Sequence, residues 1–392
     1  MVNEVFFFTE MGYTRYSQKV AAQYGYTNLM FPNENFSPEK AAELYSMYFD
    51  ELQHCSESGF DGVMINEHHN NPLSLMPSVN VIGAVLAKLT KQGKIVFLGN
   101  VLPIHENPVR VAEEIAMIDM ISGGRVVCGF VRGIGQESMA TNTNPVFNRE
   151  RFAEAHDLII KTWTTPGPFR WEGKHYHLRV VNPWVLPLQK PHPPVWIPGV
   201  VSPESVEFAA RHGYPYIALA PPLDLIGEVF DLYDRVAQEE GYTATEHNRG
   251  YVVRVLVADS DERAYEEGKN FFWQLGTSFG VAPRHWQTPP GYLSRAASQG
   301  SRQQRREPPR NVTPGGPILS YEEAQATYQI VTGNPDTVIK KLKHIADVVN
   351  PANMVLWGRE GPMSHQVAMR CIDLLSQEVI PAIKEYQPQP ER

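Results

Sequence analysis

Cysteine is scarce in this chain: three residues among 392, Cys55, Cys128 and Cys371, with no Cys-x-x-Cys spacing. That excludes a disulfide framework and a thiolate metal cluster, and Cys55 and Cys128 fall in apolar patterns suited to buried free thiols. No apolar run reaches the roughly 18 residues that a membrane-spanning helix needs. A basic excess is missing too. Lys and Arg number 35 against 43 Asp and Glu, a formal net charge of −8, which argues against sequence-independent binding of nucleic acid. The first residues enter an apolar strand pattern without the basic-then-apolar signature of a secretory signal, so a reducing cytoplasm is the expected setting. No His-Glu-x-x-His motif occurs, and His175, His177 and His192 do not follow a regular zinc-ligand spacing, so no metal is expected there.

What is present is a regular alternation. Short β-prone runs at 2–8, 60–65, 94–99, 126–130, 195–199, 216–220, 252–258 and 353–357 are separated by helical patterns at 41–57, 78–89, 111–120, 149–163, 202–211, 223–240, from 261, and 364–386. Successive strands in the first half stand about 30 residues apart, the size of a βαβ unit. Eight such units predict a (β/α)8 TIM barrel, a single domain over residues 1–392. Residues 165–194, rich in Pro, Trp and His, read as a hairpin excursion. Residues 277–317, after the seventh strand–helix unit, carry Pro-Pro-Gly, Ser-Arg-Gln-Gln-Arg-Arg and Pro-Gly-Gly pieces and read as a mobile insertion or lid. Residues 10–38, rich in Tyr, Asn and Gly, form a long first loop over the barrel mouth, with its tyrosines and Phe31 available to a substrate pocket.

The chemistry-bearing residues collect after strands. Glu67-His68-His69 follows the second strand, and alternation places Asn66 and His68 on one face, Glu67 and His69 on the other. Gly99-Asn100 ends the third strand, Val131-Arg132-Gly133 the fourth. Val201-Ser202-Pro203-Glu204-Ser205 follows the fifth and opens a helix. There Ser202 is expected to cap, and the helix start with two hydroxyls is also a phosphate cradle. Gly133-Ile134-Gly135 with Ser138 imitates a dinucleotide fingerprint, but the last glycine is missing and the following acids, Glu154 and Asp157, fall inside a helix. A metal hydrolase built on Glu67, His68 and His69 is disfavoured because neighbours on a strand point apart.

Glu-His-His after the second strand, Pro108-Val109-Arg110-Val111-Ala112-Glu113-Glu114, Ser122-Gly123-Gly124-Arg125 and Gly129-Phe130-Val131-Arg132-Gly133 together resemble the bacterial luciferase-like flavin-dependent monooxygenases. The resemblance runs over most of the chain. It implies reduced FMN (FMNH2) across the carboxyl face of the barrel and O2 as co-substrate, giving a peroxyflavin that oxygenates a small, largely apolar organic substrate. It further implies a two-component system with a separate flavin reductase, and a homodimer. Residue by residue it makes His68 the catalytic histidine, titrating near neutrality as an acid or base. It puts Asn100 beside the ring, at a peptide often strained or cis, Arg132 towards the phosphate, and Val201, Ser202 and Ser205 on the phosphate. Where luciferase has a cysteine before that arginine, this chain has Val131, so light emission is not implied. A deazaflavin-dependent hydride-transfer oxidoreductase and a non-catalytic flavin-binding protein are the alternatives.

Overall fold

The computed structural model describes residues 1–24, 27–273, 286, 288–293, 312–313, 316–317 and 319–389. Its centre is a closed parallel barrel of eight strands: β1 (Glu4–Thr9), β2 (Gly62–Ile65), β3 (Lys94–Phe97), β4 (Val126–Val131), β5 (Val195–Gly199), β6 (Tyr216–Leu219), β7 (Arg249–Val257) and β8 (Asn353–Arg359). Each pairs with its sequence neighbour, and β8 closes the ring on β1, with Phe6 opposite Val355 and Val252 opposite the same residue from β7. This is the TIM barrel that the alternation predicts.

Side chains on a strand alternate, and the two faces separate cleanly here. Phe6, Phe8, Met64, Val96, Leu98, Val127, Trp196, Ile217, Val252, Val355 and Trp357 fill the barrel interior. Phe7, Val63, Ile65, Ile95, Phe97 and Cys128 point outward and pack beneath the helices. Inside, Phe6 meets Trp196 edge-on at 5.4 Å between ring centroids, and Phe8 meets Trp357 at 4.9 Å. The barrel is therefore a packed core whose upper layer, Phe8, Leu98, Val252 and Trp357, floors whatever lies above it.

Four helices begin with a polar residue followed by proline: Pro38–Glu57, Pro108–Ser122, Pro203–His212 and Pro335–Val349. Proline at the first helical position has no N–H to leave unpaired. Ser37, Asn107 and Asn334 each accept a hydrogen bond from a first-turn N–H, as caps do. Ser202 holds the fourth cap position without making that bond.

The chain departs from the sequence expectations in several places. The first loop contains a helix, Gln18–Tyr24, and a turn of 3-10 helix, Asn33–Asn35. Among the described residues its aromatics do not line the cavity at the barrel mouth. Tyr13, Tyr16, Phe31 and Phe36 pack on one another, with Leu73 and Trp273 alongside. Burying large rings against each other removes more apolar surface from water than facing them into a wet cavity. Gly135–Ala140, which overlaps the stretch that imitates the dinucleotide fingerprint, is a short helix. Beside the upper half of β7 an additional parallel strand, Ile330–Gly333, pairs Arg254 with Ile330 and Val257 with Gly333. Residues Phe169–Glu172 and His177–Val181 pair antiparallel outside the barrel. Most of 277–317 lies outside the described residues. Of the residues described there, Tyr292 and Leu293 line the cavity at the barrel mouth.

Candidate functional site

A cavity of about 1000 Å³ opens at the carboxyl end of the strands, where TIM barrels place their chemistry and at the upper end of ordinary ligand-pocket size. Phe8, Leu98, Leu219, Val252 and Trp357 make its apolar floor, and its two charged ends differ in construction.

At one end stands His68. β2 stops at Ile65, so residues 66–69 leave the sheet and are positioned by side-chain bonds rather than by the pleat. Nδ1 of His68 lies 2.8 Å from Glu137 Oε1, and Nε2 lies 3.5 Å from Glu10 Oε1. Glu137 is buried, and its second oxygen accepts the His69 backbone N–H at 3.1 Å. Glu10 also accepts from Asn66 Nδ2 at 2.9 Å, so Asn66 and His68 share one face, as alternation predicts. Burial lowers the His68 pKa, but hydrogen bonds to Glu10 and Glu137 and their charges outweigh it and raise the pKa to about 10. His68 is thus an imidazolium at neutral pH, which corrects the expectation of a group titrating near neutrality.

Glu67 also reaches the cavity wall, contrary to strict alternation. Its carboxylate is tied down at 3.3 Å by His69 Nε2 and at 3.2 Å by the backbone N–H of Val79, at the start of helix Val79–Leu89. A carboxylate at that helix start is favoured by the macrodipole.

The other end is built from Arg132, Arg149, Ser202, Glu204 and Ser205. Arg132 Nη1 donates to the Tyr292 carbonyl at 3.0 Å and Arg149 Nη2 to the same oxygen at 2.9 Å. The Arg132 guanidinium lies 4.4 Å from the Tyr292 ring centroid, and the Tyr292 hydroxyl donates to the Gly133 carbonyl at 2.8 Å. Burial, then the neighbouring Arg132 charge, lowers the Arg149 pKa, while Glu204 at 3.6 Å opposes the shift. Two cations thus converge on one neutral oxygen, an arrangement that an anionic oxygen would satisfy better.

Ser202 does not cap its helix: its hydroxyl donates to Glu204 Oε2 at 3.0 Å instead. Ser202, Ser205 and the preceding Val201 all face the cavity. The helix start therefore presents hydroxyls and dipole to the same space as the two arginines.

Asn100 is the candidate that the structure does not bring in. It is fully buried with neither amide atom hydrogen-bonded, and it lies off the cavity wall, whereas Gly99 and Val101 line it. Its backbone instead extends β3, pairing with Phe130 of β4. A Cβ at Gly99 would sit 2.5 Å from Val131 Cγ1, so glycine is what lets the chain pass here. The cis peptide bonds among the described residues are Gly167–Pro168 and Lys190–Pro191, so the peptide at Gly99 is trans.

Sequence reasoning missed Glu10, Glu137, Arg149 and Tyr292. Glu10 had a signal, being the first acid after β1. Arg149 sat in plain view at the start of a helix. Glu137 and Tyr292 had none, since each is brought in from a segment without periodicity.

A closed barrel, an apolar floor, a histidine between two carboxylates and two arginines on one carbonyl oxygen thus frame a single large cavity. The luciferase-like monooxygenase profile matches residues 28–349, and the chain belongs to that family. It is 31% identical over 216 residues to protein y4wF of Sinorhizobium fredii, covering 54% of this chain and 61% of that one. It is 28% identical over 174 residues to the oxygenase component of the flavin-dependent trigonelline monooxygenase of Acinetobacter baylyi, covering 44% and 47%. These matches span about half to six-tenths of each relative. Among solved structures, the oxygenating constituent of 3,6-diketocamphane monooxygenase from Pseudomonas putida, in complex with FMN, superposes with a TM-score of 0.68 at 18% identity, covering 97% and 98%. An F420-dependent secondary alcohol dehydrogenase superposes with a TM-score of 0.69 at 16% identity, covering 98% and 100%. At such identities the likeness concerns the fold alone. No described helix is long and apolar enough to cross a membrane.

Proposed function

We propose that this chain is the oxygenase of a two-component flavin monooxygenase that uses reduced FMN and O2 to oxygenate a small, largely apolar organic substrate, the reduced flavin coming from a separate reductase. The observation that carries the reading is the convergence of Arg132 and Arg149 on one oxygen beside the Ser202–Ser205 helix start. The residues present fit FMN on that count. The two guanidiniums and a helix amino terminus form a phosphate site at present satisfied by a main-chain carbonyl.

Reduced flavin, when bound, supplies the electrons that activate oxygen. The chain's own residues bind, shield and hold a proton. Arg132 and Arg149 exchange the Tyr292 carbonyl for phosphate oxygens, and Ser202 and Ser205 add neutral donors. Phe8, Leu98, Val252 and Trp357 give a planar apolar group a dry floor. His68 keeps Nδ1–H on Glu137 and holds its Nε2 proton towards Glu10 and the cavity. At neutral pH it therefore acts as a proton donor and positive charge rather than as a base.

The test is to load the chain anaerobically with reduced FMN and mix it with O2, following flavin absorbance and oxygen uptake with a panel of apolar carbonyl and aromatic compounds. Oxygen incorporated into one of them supports the reading. Reduced flavin that binds and reoxidises with hydrogen peroxide as the product for every compound points to a non-catalytic flavin protein. Failure to bind reduced FMN, with binding of reduced deazaflavin, replaces the reading by hydride transfer.

A further inference from the structure

The helices that open with Arg149 and Ser202 also meet far from the cavity, and a cluster unrelated to flavin lies between them. His156, on helix Asn148–Thr164, is buried. Asp157 follows it and is exposed, and His212 is the exposed last residue of helix Pro203–His212. One ligand atom from each of the three lies within 4.8 Å of the others.

The hydrogen bonds show which ring nitrogens are already engaged with other groups. His156 Nε2 lies 3.1 Å from the Tyr214 hydroxyl, and His212 Nδ1 lies 2.8 Å from the Phe208 carbonyl. A carbonyl can only accept, so His212 carries its proton on Nδ1 in the neutral form and presents Nε2 as a lone pair. Metal-binding histidines almost always have the other ring nitrogen donating in this manner, which fixes tautomer and ring orientation. His156 Nδ1 already sits 3.0 Å from Asp157 Oδ1, close to the edge length between two ligands of one tetrahedral ion. The His156 and His212 rings are held edge to face at 4.9 Å, with Tyr214 stacked on His212 at 5.3 Å.

We propose that His156 Nδ1, Asp157 Oδ1 and His212 Nε2 form a structural site for a late first-row divalent cation of the zinc class, joining helices Asn148–Thr164 and Pro203–His212. Two imidazoles and one carboxylate suit zinc rather than magnesium or calcium, which take oxygen donors. Three protein ligands leave the fourth position to water. Asp157 and His212 are exposed, so an ion can reach the site from solvent. A cation here also meets the carboxyl end of helix Pro203–His212, where the macrodipole is negative. Since these helices begin with Arg149 and with Ser202 and Ser205, the ion would brace the supports of the anion site without touching it.

The experiment uses the full chain, untagged, flavin-free and stripped with chelator, titrated with Zn²⁺ in competition with a chromophoric chelator. One equivalent should bind per chain and raise the melting temperature. His212→Ala and Asp157→Asn, both surface changes, should each weaken that binding by roughly tenfold or more and remove the thermal shift. Their metal-free melting temperatures should match that of the metal-free parent. Absence of a saturable one-per-chain event, or unchanged affinity in the two variants, overturns the site. No flavin is present in the measurement, so its outcome is separate from that of the monooxygenase reading.

Discussion

The two charged ends of the cavity differ in how their charge is satisfied. The His68 end is closed on itself: one imidazolium between Glu137 at 2.8 Å and Glu10 at 3.5 Å, with Asn66 and the His69 backbone completing the carboxylates. The Arg132 end is less fully matched: both guanidiniums donate to a single neutral carbonyl, that of Tyr292, and Arg149 also faces Glu204 at 3.6 Å. Ion pairs that are already matched hold a group in one protonation state and one place. Cations whose hydrogen bonds go to a peptide oxygen can exchange that oxygen for an anion. On the function proposed above, the first end would hold a proton for chemistry and the second would bind the anionic part of the cofactor.

Substitutions should separate these two roles. The largest expected effect is His68→Ala, which should lower oxygenation by about a hundredfold or more while changing reduced FMN affinity by less than about threefold. Steady-state oxygen uptake and anaerobic titration check the two halves. A variant that loses flavin and retains turnover once saturated would exchange the roles of the ends. Next, Arg132→Ala and Arg149→Ala should each weaken reduced FMN by about 10- to 100-fold, the range for a charge-assisted hydrogen bond, and leave riboflavin nearly unchanged. Equal losses for the two ligands would remove the arginines from the phosphate.

The closed end also makes a pH prediction. The His68 pKa is raised to about 10 from its ordinary value of 6.5, so its protonation stabilises the fold fully below about pH 6.5. That contribution shrinks as pH rises and is gone above about 10. The stability difference between parent and His68→Gln, measured by urea unfolding, should fall steadily from pH 7 to pH 10. A difference that vanishes already at pH 7.5 would mean that the two carboxylates do not hold the proton. The smallest effect is at Ser202. Because its hydroxyl bonds Glu204 and does not cap, Ser202→Ala should change stability by less than about 0.5 kcal/mol, whereas Asn334→Ala should cost about 1 kcal/mol. Reduced FMN should weaken a few-fold in the first variant and not in the second.

The sequence made the scaffold legible because strands and helices leave periodic traces. The eight β-prone runs and the helical patterns between them could be read from the sequence, whereas the cap expected at Ser202 is not made and the caps at Ser37 and Asn107 lie ahead of the helix starts expected there. Of the site, His68, Arg132, Val201, Ser202 and Ser205 were legible because they sit at strand ends or at a helix start. Asn100, named with them, is buried and does not line the cavity, since the chain continues past Gly99 to pair with Phe130. The protonation state of His68 was not legible at all. It depends on Glu10 and Glu137, which are distant in sequence and carry no periodic signal. Arg149 and Tyr292 escaped for a similar reason: their meeting with Arg132 is a tertiary contact between three segments.

The most direct test is the ratio of two affinities. Anaerobic titration of the chain with reduced FMN and with reduced riboflavin should give one site per chain and an FMN preference of about a hundredfold or more, as two charge-assisted arginine contacts require. Equal affinities, or no binding of either, would contradict the assignment of the Arg132 end as a phosphate site and the flavin chemistry built on it.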